Sequence, residues 1–64
     1  MKSLYEAVTS IKSYVDDFDM RNTVGAKRVI TVMVLIVGDI YEVTTSEIWK
    51  MLRGVGVERS DLCD

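Results

Sequence analysis

Apolar side chains at Leu4, Val8, Ile11, Val15 and Phe18 recur at alternating intervals of four and three residues. On a helix that spacing places them on one stripe, with Lys12, Ser13, Asp16 and Asp17 largely off it. Ser3 followed three residues later by Glu6 has the form of a capping box, in which each side chain satisfies the other's free backbone N–H. Together they predict an amphipathic helix over residues 3–19. The stripe is close to a heptad seam. It can cover the domain's own core, or join a second molecule, or do both.

Residues 20–25 read as a turn, with Asn22 or Thr23 as the N-cap of the next element. The run from Val29 to Val37 holds a single polar side chain, Thr31. Its β-branched residues favour a strand, and an unbroken apolar run does not by itself separate strand from buried helix. Length decides for a helix over 26–37: the segment is long for a strand, no second segment could pair with it, and Gly38 suits the position just past a helix end. A helix apolar on every side is expected at the centre, between the first helix and the segment beyond. Ile40–Val43 is then a short strand. Thr44 or Thr45 caps a helix running to about Arg53, with Thr44 and Glu47 as a second capping box. Ile48, Leu52 and Val55 point inward, and Glu47, Lys50 and Arg53 point to water. Gly54 and Gly56 end that helix and allow positive φ, and Ser60 caps the start of a last one. The expected fold is a single, mainly α domain over residues 1–64, a small three-helix arrangement with little or no β structure.

Composition sharpens this in one respect. A chain of 64 residues buries only about 60% of its unfolded surface, so a lone core is marginal and small domains usually add a disulfide, a metal or a partner. Cys63 is the single cysteine and there is no histidine, which removes an internal disulfide and a credible zinc set. A homodimer or a larger protein partner is the expectation that remains, with Leu4, Val8, Ile11, Val15, Phe18 and Trp49 as candidate interface residues. Asp16, Asp17 and Asp19 lack the alternating ligands, glycine and distal glutamate of a calcium loop. Cys63 has no histidine to activate it. No catalytic residue, cofactor, metal or small-molecule substrate is expected, and the chain reads as a non-enzyme. The apolar run is too short to span a bilayer, and the charged opening from Met1 to Phe18 does not resemble a secretory signal, so the cytoplasm is the expected compartment. A chain without Gln or His and with one Asn fits the amide-poor composition of a hot habitat, an archaeal or archaeal-viral source.

Formal charge is −2, on the wrong side for a free-standing DNA binder. The distribution matters more: Lys50, Arg53 and Arg59 gather around the turn after the third helix. A solvated helix face accounts for them as well as a phosphate-binding one does. Here the order of elements bears on the choice. EVTTSEIWKML followed by VERSDL resembles the front half of a helix-turn-helix or winged-helix domain, in which a short first strand leads into the second helix and the segment after the turn begins the recognition helix. The resemblance covers residues 26–62, without a wing and with one turn of recognition helix. It implies Arg59 and Ser60 at that helix's start, contacting bases or phosphates, and Lys50 and Arg53 as backbone-positioning residues, with double-stranded DNA as the partner. It departs from the family at Trp49, where a compact domain usually carries a small residue. Two functions follow as expectations: a DNA-binding regulator or architectural factor, or an accessory subunit docking onto a larger replication or transcription complex such as a polymerase.

Overall fold

A computed structural model describes residues 2–64. Three helices, α1 (Leu4–Asp17), α2 (Ala26–Tyr41) and α3 (Thr45–Gly54), pack with two single 3-10 turns, Met20–Asn22 and Arg59–Asp61. No strand occurs among the described residues. The mainly α reading of the sequence therefore stands.

Helix α1 starts where its cap predicts, with the Ser3 hydroxyl accepting from the Glu6 amide at 3.1 Å. It stops at Asp17 because Phe18 leaves helical geometry and Asp19 turns into the left-handed region at φ 48°. Aspartate is among the few residues that enter this region readily. The expected cap of α2 at Asn22 or Thr23 gives way to Gly25, at φ 86° and with no side-chain cap. Asn22 instead lies in the first 3-10 turn, donating to Asp19. The amides at the start of α2 find acceptors far along the chain: Gly25 N donates to the Asp64 carbonyl at 3.0 Å and Lys27 N to the Cys63 carbonyl at 2.9 Å. Buried Leu62 holds that tail in place. Helix starts leave such amides without intrahelical partners, so the tail acts as the cap that local sequence lacks.

Helix α2 overruns its expected end. Gly38 is not a stop but a buried mid-helix residue, and the helix continues through Ile40 to Tyr41. The short strand expected at Ile40–Val43 is thus absent, and the break falls at Glu42, which is left-handed at φ 55°. The glycine serves close packing. A Cβ on Gly38 would sit 3.0 Å from the Val43 carbonyl oxygen and 3.4 Å from Ile48 Cδ1. Its bare backbone lets the chain fold back at once, so α3 leaves α2 at 115° after only Glu42, Val43 and Thr44. The Thr44 hydroxyl then accepts from the Glu47 amide at 3.3 Å, and α3 begins as its sequence predicts.

The core comprises Val8, Ile11 and Val15 of α1, Ala26, Ile30 and Val34 of α2, and Ile48 and Leu52 of α3, closed by Met20, Val57 and Leu62. Val8, Ile11 and Val15, offered by the sequence as a seam for a second molecule, are spent inside the chain at 2% exposure or less. A further expectation fails at α2, which is not enclosed on all sides. Val29, Val32, Leu35, Ile36 and Ile40 are 40–63% exposed. Total accessible surface is 4193 Å², against about 4,100 Å² for a compact monomer of this mass. The chain is as compact as a monomer should be; what is unusual is the greasy composition of one side.

Candidate nucleic-acid interface

Beside α2, the face of α3 turned from the core borders an open groove of about 510 Å³. Its floor includes Thr31, Val34 and Leu35 of α2, and its wall is Trp49, Lys50 and Arg53 of α3 together with Glu58 and Arg59 from the following loop. The register of α3 explains the placement. Ile48 and Leu52, four residues apart, bury one edge of the helix, which leaves Lys50 and Arg53 pointing away from the core and exposed. Val57 and Leu62 are buried on either side of Arg59 and hold the loop against the helical body. That brings the Arg59 guanidinium to 5.7 Å from the Trp49 ring centroid, within reach of a cation–π interaction.

Three of the four residues singled out in the sequence for phosphate contact therefore meet in one groove, and the fourth does not. Ser60 is exposed inside the 3-10 turn Arg59–Asp61, whose leading residue Glu58 makes no side-chain cap. The last helix expected to begin there is absent. Trp49, expected at a protein interface, is half-buried beside the cations. Of the other interface candidates, Leu4 is partly buried against the core and Phe18 is exposed, tilted against Tyr14 with ring centroids 4.8 Å apart.

Charge balance separates the groove from the rest of the chain. Lys50, Arg53 and Arg59 face one carboxylate, Glu58, in its lining, while the whole chain carries −2. None of the three cations is in an ion pair among the described residues; the pairs present are Lys12–Asp16, Arg21–Asp16 and Lys27–Asp64. The Lys12 ammonium, and then the Arg21 guanidinium, hold the Asp16 carboxyl below its ordinary range. Lys27 does the same for Asp64. Arg21 also donates to the Gly56 carbonyl at 3.0 Å, tying the end of α1 to the turn after α3. Of Asp16, Asp17 and Asp19, Asp16 is taken up in ion pairs and Asp19 accepts from the Asn22 side-chain amide, and no metal-binding cluster occurs among the described residues.

The groove holds three cations outside any ion pair, one carboxylate, an indole and two short hydroxyl side chains, Thr45 and Ser46. Positive charge beside an aromatic face is chemically complementary to anions and flat rings. The groove holds no histidine or cysteine that could serve as nucleophile or proton shuttle. Sequence reasoning located the cations; it missed that Trp49 stands among them, although the spacing Trp49, Lys50, Arg53 already places all three on adjoining parts of one helix. No family model, curated protein or solved structure matches the chain. No helix among the described residues is long and apolar enough to cross a membrane.

Proposed function

We propose that this chain is a small non-enzymatic helix-turn-helix-type protein of DNA transactions, a regulator or architectural factor that grips duplex DNA with α3 and Arg59. The observation that carries the reading is the convergence of Lys50, Arg53 and Arg59 on one groove beside Trp49, whereas Lys12, Arg21 and Lys27 are in ion pairs and Lys2 and Arg28 lie outside the groove. Supporting it is the α2–α3 pair itself. A 115° crossing after three connecting residues falls within the range of helix-turn-helix units, and in this reading α3 takes the groove-entering place that the sequence resemblance gave to a helix after Arg59. Helix α3 has 10 residues and is about 15 Å long, and a groove about 12 Å wide admits such a helix.

Lys50, Arg53 and Arg59 would contact phosphates, fixing position rather than reading bases. Three such contacts give a log–log salt dependence of about −2.7. Fluorescence anisotropy with a random-sequence duplex, titrated from low to moderate salt, tests this. Binding that weakens along that slope, and is abolished by Arg53→Glu with Arg59→Glu, is the expected result. Absence of binding at low salt, or indifference to the two reversals, removes the reading.

A second reading, an accessory subunit that docks onto a larger replication or transcription complex, is favoured by a different observation: the exposed apolar side of α2. Large apolar patches on a compact surface mark interaction sites. The charge reversals distinguish the two, since docking through α2 is insensitive to Arg53 and Arg59.

A further inference from the structure

Two sides of α2 differ in what they touch. Ala26, Ile30, Val34 and Gly38, spaced by four, face the core. Val29, Val32, Ile36 and Ile40, spaced by three and four, are exposed, with Leu35 beside them. Eleven residues separate Val29 from Ile40, so the stripe is about 16 Å long. Two charges border it, Arg28 and Asp39, both exposed. Neither is in an ion pair among the described residues.

We infer that the occupant of this face is a second copy of the same chain, packed α2 against α2 in an antiparallel pair. The order of residues along this face is near-palindromic. Val29 and Ile40, Val32 and Ile36, and Arg28 and Asp39 form three couples, each centred within about half a residue of position 34. At about 100° per residue, members of a couple eleven apart lie only about 20° from one another around the helix. Arg28 and Asp39 therefore share one flank of the stripe, and Val29 and Ile40 share the other. A two-fold axis perpendicular to both helices reverses chain direction while keeping each flank on its own side. Arg28 of each copy then meets Asp39 of the other, twice over, while Val29 meets Ile40 and Val32 meets Ile36. An isologous contact has this form, residue i on j and j on i. A parallel pair, with its axis along the helices, would set the Arg28 and Asp39 flank of each copy against the Val29 and Ile40 flank of the other and leave both charges without a partner, which opposes it.

The exposed apolar side chains with their charged border offer on the order of 500 Å² per copy, or about 1,000 Å² in the pair, the lower bound for a specific interface. The dimer is accordingly expected to be reversible, with a dissociation constant in the micromolar range. It stands independently of the DNA reading. One consequence rests on that reading: Thr31 and Leu35, in the floor of the cationic groove, lie on the Arg28 flank, so the same axis turns both grooves to one side of the dimer.

Sedimentation equilibrium without nucleic acid, from about 1 to 300 μM chain, tests the proposal. The expected mass rises from 7.2 kDa toward twice that value. Ile36→Glu should hold the chain at monomer mass throughout, with its helical circular dichroism retained because Ile36 is already 53% exposed. Val32→Lys is the companion variant, read the same way. Arg28→Asp should weaken association about tenfold or more, and the double exchange Arg28→Asp with Asp39→Arg should restore it to near the starting value. A wild-type chain that stays monomeric at the highest concentration overturns the proposal. So does a dimer that survives Ile36→Glu and Val32→Lys, or one that the double exchange fails to rescue. A monomer that floats with anionic phosphatidylserine vesicles, or leaves solution only on another protein, assigns the face to those partners and equally overturns it.

Discussion

Helices α1 and α2 both bring a regular apolar series to the same core, yet one is used up there and the other is not. In α1 the stripe Val8, Ile11, Val15 is buried almost completely, and the opposite side carries Lys12, Ser13 and Asp16. In α2 the inner line Ala26, Ile30, Val34 is fully buried, while the outer line Val32, Ile36, Ile40 is about half exposed or more. An amphipathic pattern names its own inner face, whereas an all-apolar one does not. The three short helices provide enough surface to cover one side of α2 only. Because the inner line wins by packing and not by greater hydrophobicity, the outer line keeps the same capacity to bury.

The sharpest way to break the comparison is Ile11→Asp in α1. Ile11 is 2% exposed, and an unpaired carboxylate there costs at least about 3 kcal/mol, most of the stability a chain of this size is expected to have. Loss of helical circular dichroism at 25 °C is the expected outcome. Retained helicity with a lowered mass would return the α1 stripe to a role between molecules. Within α2, Ile30→Ala and Ile36→Ala remove the same atoms from opposite sides. The first should lower unfolding free energy by about 2–5 kcal/mol in urea titrations. The second should change it by about 0.5 kcal/mol or less at concentrations where the chain is monomeric. Equal losses would mean that both sides are covered. Next comes the corner between α2 and α3. Gly38→Val drives side-chain atoms into the Val43 carbonyl and Ile48, 3.0 and 3.4 Å from an added Cβ, and should destabilise by about 1–3 kcal/mol in the same titration. A neutral result would show that the corner can open.

The smallest expected effect concerns acid. Asp16 is paired with Lys12 and Arg21, and its carboxyl is held below the ordinary value of 3.8. A lowered folded-state value means that the pairing stabilises the fold above that pH and is lost as pH falls through the folded-state value. The Asp16 side chain is 41% exposed, so screening keeps the effect small. An NMR titration of the side-chain carboxyl should find its midpoint below 3.8, moving upward in Arg21→Ala. An unmoved midpoint would detach Arg21 from the end of α1.

Much of the molecule was legible because its signals are local. The Ser3 and Thr44 caps act over three residues, and both begin helices where expected. The inward residues Ile48 and Leu52 of α3 followed from spacing alone. Gly38 and Ile40–Val43 were misread for one reason. Glycine after an apolar helix most often marks its end, and nothing local shows that a later segment will press against it. The same holds for Gly25, whose amide is satisfied by Asp64, a residue near the other end of the numbering. In the groove, the cations were visible as cations. That Arg59 would fold back over Trp49 depended on the burial of Val57 and Leu62 around it.

What the amino-acid order determined unaided was the existence of the three helices, most of their boundaries, and the presence of more apolar surface than a short chain easily hides. These are properties of spacing and of backbone hydrogen bonding within a few residues. Only the tertiary structure decided which side of α2 is enclosed, which glycine is a contact and which a turn, and that three scattered cations share one groove. Each of those outcomes depends on segments far apart in the chain competing for the same volume, and no local pattern carries that information.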